Sequence, residues 1–199
     1  MNNDLKVYVE NMKKPWSVMF YRLIWEQLPQ LNASKILDFG SGLGITANHL
    51  AKNNDVVAIE RNADMAEIRI CENSYKQIIG DIEQLRDQED DSFDVVVCHN
   101  ALEYSKERKD IFREFYRVLK PNGIISIVKH NHAGRIMQKA IFENNLDEAI
   151  MLLALHSNNE IRYDPIWQEK MFELEMKASD MEEYINISFY NHVFLKKLS

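Results

Sequence analysis

Glycine stands at every second position at the end of the decapeptide Lys35-Ile36-Leu37-Asp38-Phe39-Gly40-Ser41-Gly42-Leu43-Gly44. The apolar run before it reads as a buried strand, and a helix is expected to start near Ile45. Glycine suits such a turn because the backbone must adopt angles that a Cβ disfavours and let a ligand approach closely. The register departs from a dinucleotide fingerprint and excludes a P-loop. A G-x-G-x-x-G fingerprint would need glycine where Ile45 stands, and no Gly-Lys-Ser/Thr follows. Twenty residues past Gly40, the run Val56-Val57-Ala58-Ile59 ends in Glu60. A carboxylate there can accept two hydrogen bonds from a ribose diol. Met65 can lie flat against a purine, and Asp81, after a third short strand, can accept from an exocyclic amine. His99-Asn100 and His130-Asn131-His132 end two further strand-like runs, and His130 and His132 are candidate general bases. Each residue also has a plainer reading. The turn can be a mere connection, Glu60 a solvated carboxylate, Met65 core, Asp81 a turn former, and the histidines polar caps. His130-x-His132 with His99 lacks a cysteine or carboxylate that would complete a clear ligand pattern, so no metal is expected.

The elements that must hold these residues follow from the hydrophobic pattern. Strands are expected at Ser34–Phe39, Asp55–Ile59, Lys76–Ile79, Phe93–Cys98 and Ile124–Lys129. Between them, Ile45–Lys52, Ala63–Glu72 and Lys106–Leu119 have helical spacing; in the last, Ile111, Phe115, Val118 and Leu119 share one face. Such alternation predicts a doubly wound α/β domain with a mostly parallel sheet and right-handed crossovers. Pro121-Asn122-Gly123 is expected to turn the chain from the last helix into the fifth strand. Tyr8–Leu28 reads as helical with a break at Pro15, and residues 134–180 read as helices, including the apolar Leu146–Leu155 stretch. Ser188–Leu198 alternates as a closing antiparallel strand. The expected organisation is one domain, with a helical lid over residues 1–30, a cofactor-binding core over 34–130, and a helical segment with closing strand over 131–199.

The combination resembles the class I S-adenosylmethionine-dependent methyltransferases. Asp38-x-Gly40-x-Gly42-x-Gly44 is similar to their first motif, Glu60 to the acid that holds the ribose, and Asp81 to the adenine-side acid. Val118-Leu119-Lys120-Pro121-Asn122-Gly123 resembles the turn before their fifth strand, with Asn122, which also tolerates left-handed φ, in place of a glycine. The resemblance covers about residues 34–130. It implies a Rossmann-like sheet and S-adenosylmethionine as cofactor, held by Asp38, Gly40, Ser41, Gly42, Gly44, Glu60, Arg61, Met65, Asp81, Ile82, His99 and Asn100. Pro15-Trp16…Tyr21, the strand ends at His99 and His130, and Tyr184-Ile185-Asn186-Ile187…His192 are more loosely similar to the bacterial subgroup that methylates the carboxylate of 5-carboxymethoxyuridine in tRNA. Two departures bear on the acceptor. After Asn131 only one strand-like segment is visible, so strand six of the usual finish has no counterpart. No strongly basic run is present for a tRNA stem either, with Lys13-Lys14 and Lys196-Lys197 the only lysine doublets.

The 199 residues include 31 Asp+Glu against 24 Lys+Arg, a net charge of −7, which argues against broad sequence-independent binding to nucleic acid. The longest apolar run, Ala149–Leu155, is about a third of a bilayer span. Met1–Glu10 lacks the apolar stretch of a signal peptide. Cys71 and Cys98 both read as reduced core thiols. A cytoplasmic enzyme is expected, transferring a methyl group in line to a small-molecule or modified-nucleoside acceptor, with tRNA compatible as partner. The rival is a catalytically silent cofactor-binding or regulatory subunit, which a shortened C-terminal half would favour. A nucleotide-dependent oxidoreductase is disfavoured by the Ile45 register. Tyr8, Trp16 and Tyr21 are expected in the lid.

Overall fold

The structure, a computed structural model, describes residues 3–131, 163–179, 188 and 190–198. Its contacts divide the chain into two compact units, Met1–Gln27 with His130–Asn191, and Leu28–Lys129 with His192–Ser199.

The second unit is built on the sheet. Its strands are β1 (Lys35–Phe39), β2 (Asp55–Glu60), β3 (Lys76–Ile79), β4 (Phe93–His99), β5 (Leu119–His130) and β6 (Tyr190–Lys196). They lie in the order β3-β2-β1-β4-β5-β6. The pairs β1–β2, β1–β4, β2–β3 and β4–β5 are parallel, and β6 closes the sheet as its antiparallel strand. Parallel neighbours require crossovers, which bury both sheet faces; this is why β1, β2 and β4 read as nearly unbroken apolar runs. Period-two alternation divides them between two cores. Leu37, Phe39, Val96 and Cys98 join one cluster, whereas Ile36, Val95 and Val97 join the other.

Helices α3 (Ile45–Leu50), α4 (Ala63–Glu67), α5 (Ile82–Arg86) and α6 (Arg108–Val118) fill the connections. The apolar stripe of α6 is as expected, with Ile111, Phe115, Val118 and the following Leu119 all fully buried. Burying each such side chain contributes about 1.5–3 kcal/mol. Three departures from the expectation bear on the site. Helix α4 ends at Glu67 rather than Glu72, because the Ile70 N–H donates to the Leu43 carbonyl (2.9 Å) and draws the chain back onto the glycine turn. Strand β5 begins at Leu119, before the expected turn. Asn122 takes φ +66°, and the register between β4 and β5 shifts around Phe93 and Val95, so Pro121-Asn122-Gly123 is an irregularity inside the strand. The short helix α5 was not expected; the Asp81 N–H at its start donates to Gln84 Oε1 (2.9 Å).

Cys98 is buried, as read from the sequence, but Cys71 is exposed; it sits past the end of α4, on the segment that the sequence pattern assigned to a longer helix.

The helices described in the first unit are α1 (Asn3–Met12), α2 (Pro15–Gln27) and α7 (Pro165–Ser179). Arg22 of α2 holds Glu169 of α7 through two hydrogen bonds (2.6 and 3.0 Å) and lies 3.6 Å over the Phe172 ring. The break at Pro15 is observed. Tyr8 and Trp16 are exposed, and Tyr21 packs edge-on to Phe20. The apolar 146–155 stretch lies outside the described residues. Among the described residues, no helix is long and apolar enough to cross a membrane.

Candidate functional site

The carboxyl ends of adjacent parallel strands face one edge of the sheet, where open α/β sheets take ligands. Asp38 pairs with Ala58 of β2 and with Val97 of β4, so the glycine turn, Glu60 and His99 all fall at that edge. The turn is fastened by Gly40 N–H and Ser41 N–H, which both donate to the Ile59 carbonyl (2.8 and 3.1 Å). Gly40, Gly42 and Gly44 take φ of +76°, +56° and +70°. Gly40 needs its missing side chain for space as well, since a Cβ there would collide with Ala101 in the loop after β4. A Cβ on Gly42 would meet nothing within 4 Å, so the backbone there stands open to a ligand.

Glu60 is buried, and its carboxylate is engaged on both oxygens. Gly42 N–H donates to Oε2 (2.7 Å) and Asn62 N–H to Oε1 (2.7 Å). It thereby links the glycine turn to the start of α4, where the Asn62 side chain caps the helix by accepting from the Asp64 and Met65 N–H groups (3.0 and 3.3 Å). Two oxygens offer about four acceptor positions, so capacity for a diol remains. Met65 is half-buried on that first turn and Arg61 is exposed beside it. Asp81 caps α5. The Ile82 side chain is fully buried in the main core, leaving only its backbone for a ligand.

Several buried polar atoms at this edge have no hydrogen-bond partner: Asp38 Oδ2, Ser41 Oγ, His99 Nδ1 and Asn100 Oδ1. Unsatisfied buried polar groups are costly, and a polar ligand satisfies them. Asn100 also holds a left-handed φ of +55°. Asp38 accepts from the Ala47 N–H of α3, yet burial and the charge of Glu60 push its carboxyl up to about 7. These features fit a polar ligand lying over Gly42 between β1 and β4. A cavity of about 440 Å³ in the same unit lies at the other end of the strands, lined by Lys35, Lys76, Ile78 and Gln84 among others.

His99 makes one further arrangement that sequence reasoning did not find. Its Nε2 lies 2.9 Å from Ser126 Oγ of β5, and the same oxygen lies 2.7 Å from Nε2 of His192 on β6. Ser126 is fully buried. Burial, followed by the proximity of His192, pulls His99 down to about 3, and burial pulls His192 down to about 4, so both are neutral at pH 7. The one sequence signal was a polar serine inside the apolar run Ile124–Val128. Of the two candidate bases, His130 ends β5 with its ring tilted against Tyr190 (centroids 4.6 Å apart). His132 lies outside the described residues.

Comparison with known proteins places this geometry. Residues 37–127 match the model of a methyltransferase domain. A sterol 24-C-methyltransferase of Yarrowia lipolytica is 29% identical over 102 residues, covering 47% of this chain and 26% of that protein. The tRNA 5-carboxymethoxyuridine methyltransferase of Escherichia coli is 22% identical over 136 residues, covering 61% and 52%. The chain thus spans about a quarter of the sterol enzyme and about half of the tRNA enzyme. A crystal structure from Methanococcus maripaludis, described as a putative S-adenosyl-L-methionine-dependent methyltransferase, superposes with a TM-score of 0.61 at 19% identity, covering 98% of this chain and 92% of that one. The fold is that of the class I methyltransferases.

Proposed function

We propose that this chain, whose residues 37–127 match a methyltransferase domain, binds S-adenosylmethionine and transfers its methyl group to a small-molecule or modified-nucleoside acceptor. The observation that carries the reading is the conjunction at one strand edge of an open Gly42 backbone with the unpartnered Asp38 Oδ2, Ser41 Oγ and Asn100 Oδ1. Asp38, Gly40, Ser41, Gly42 and Gly44 would cradle the amino-acid part of the cofactor. Glu60 would accept from the ribose diol, with Arg61 beside it. Met65, Asp81 and the backbone at Ile82 would bound the adenine. When bound, S-adenosylmethionine supplies an already activated methyl group for in-line displacement.

The protein's part is then mainly positional. Holding the acceptor atom about 3–3.5 Å from the methyl carbon accounts for much of the possible rate gain. Asn100, held in a left-handed conformation beside the turn, would orient the polar end of the ligand. The sterol and tRNA enzymes among the relatives share only part of their length with this chain. Thermal denaturation with S-adenosylmethionine, S-adenosylhomocysteine and NAD tests the reading. Stabilisation by the first two alone is expected. Stabilisation by NAD alone, or by none, would overturn it.

A further inference from the structure

The feature that cofactor binding leaves unused is the chain of hydrogen bonds running from His99 through Ser126 to His192 on three neighbouring strands. A hydroxyl carries one proton, so Ser126 can donate to only one of the two imidazoles and must accept from the other. The two neutral histidines are therefore in opposite tautomers. When His99 donates its Nε2–H to Ser126, its Nδ1 is a bare acceptor, and Ser126 donates to His192 Nε2, whose Nδ1 then carries the proton. Of these atoms His99 Nδ1 is buried without a partner, on the last residue of β4, next to Asn100 and at the level of the glycine turn. The rings of His99 and His192 are 5.6 Å apart and nearly perpendicular, and Phe194 packs 4.3 Å from the His192 ring, which fixes its orientation. A structural hydroxyl bridge would satisfy Ser126 with one partner; a second imidazole with an unpartnered nitrogen at the ligand edge is what a proton path requires.

We propose that His99, Ser126 and His192 form a proton relay, with His99 Nδ1 as its site end, and that the methyl acceptor is consequently a protic nucleophile, a hydroxyl or an amine, rather than a carboxylate. This rests on the methyltransferase reading above. On transfer, a lone pair of the acceptor atom forms the bond to the methyl carbon, while the electrons of the breaking sulfur–carbon bond remain on sulfur as a thioether. The acceptor's proton passes to His99 Nδ1, the His99 Nε2 proton to Ser126 Oγ, and the Ser126 proton to His192 Nε2. The Nδ1 proton of His192, a residue only partly buried, is then released to solvent, so no histidine stores the charge. A carboxylate acceptor has no proton to lose and would leave the relay idle.

The test uses the full chain with cofactor labelled in the methyl group, incubated with a cell extract depleted of small-molecule cofactor, for the native protein, Ser126→Ala and Ser126→Thr. Cofactor affinity of each is measured separately by calorimetry. The relay predicts label in a product that resists mild alkali, as an ether or amine does, a rate at least tenfold lower in Ser126→Ala, near-native rate in Ser126→Thr, which keeps the hydroxyl, and unchanged cofactor affinity in both. Label released as methanol by mild alkali would identify a methyl ester and overturn the proposal. So would an alanine variant within twofold of the native rate, or a threonine variant as slow as alanine. Native protein that transfers no label to any acceptor would overturn the methyltransferase reading itself and the relay with it, whereas transfer by the native protein that Ser126→Ala leaves undiminished overturns the relay alone.

Discussion

At the residue scale, three buried titratable groups make stability depend on pH in opposite directions. His99 and His192 are pulled down to about 3 and 4, below the ordinary histidine value, so acid favours the unfolded chain, which takes up their protons first. Their contribution is complete above about pH 6.5 and is lost as pH falls toward 3–4. Asp38 is pushed up to about 7, so the folded chain holds its proton while the unfolded one has released it, and its effect declines as pH rises from about 4 to 7. Replacing Asp38 with Asn is expected to remove the loss of stability approaching pH 7, read as the dependence of urea midpoint on pH. An unchanged slope between pH 5 and 7 would show that Asp38 is ionised throughout. Gly40 gives a second prediction at this scale. Gly40→Ala combines a left-handed backbone with a collision against Ala101 and should destabilise by at least about 1–2 kcal/mol in chemical denaturation. The residues themselves were visible in the sequence. The direction of each shift was not, because burial depends on which side chains the fold brings around them.

At the element scale, α6 and β6 are the parts whose fit can be measured. Phe115 of α6 is fully buried, with Phe39 and Phe112 rings 5.4 and 6.0 Å from its own. Phe115→Ala is expected to cost about 3–5 kcal/mol, mostly through the cavity left behind, and a loss under 1 kcal/mol would place the ring outside the core. Lys197, just past β6, donates to Asp91 Oδ1 (2.6 Å) and to the carbonyls of Tyr116 and Leu119 (2.9 and 2.7 Å). Lys197→Met should therefore destabilise by about 1–3 kcal/mol, through carbonyls that lose a charged donor. Element types were legible where period and length agreed: the four parallel strands from β1 to β4 and the stripe of α6 follow directly from their patterns. Boundaries failed where a distant bond decided them, as when Leu43 captures the Ile70 N–H and stops α4. Five residues of α5 were too short to show a helical period. The serine bridge between His99 and His192 depends on the register of three strands, which no local pattern encodes.

At the scale of the whole molecule, the site was legible as a set of separate residues before it was legible as a place. Asp38, Gly40, Gly42, Glu60 and Asn100 are spread over about sixty positions, and the α/β alternation predicted their meeting at one sheet edge. That Glu60 is already occupied by Gly42 and Asn62 was not predictable from its position at a strand end; the carboxylate shapes the turn, and under the proposed function it would receive a diol as well. A ligand at about 100 times its dissociation constant stabilises by about 2.7 kcal/mol, which for a chain of this size is about 5–10 °C in Tm. The most direct measurement is calorimetric titration of S-adenosylmethionine into the native protein and into Glu60→Ala. One binding site is expected in the native protein, weakened in the variant by about 1–3 kcal/mol as the ribose diol loses its acceptor. Absence of binding by the native protein, or equal affinity in the two, would contradict it.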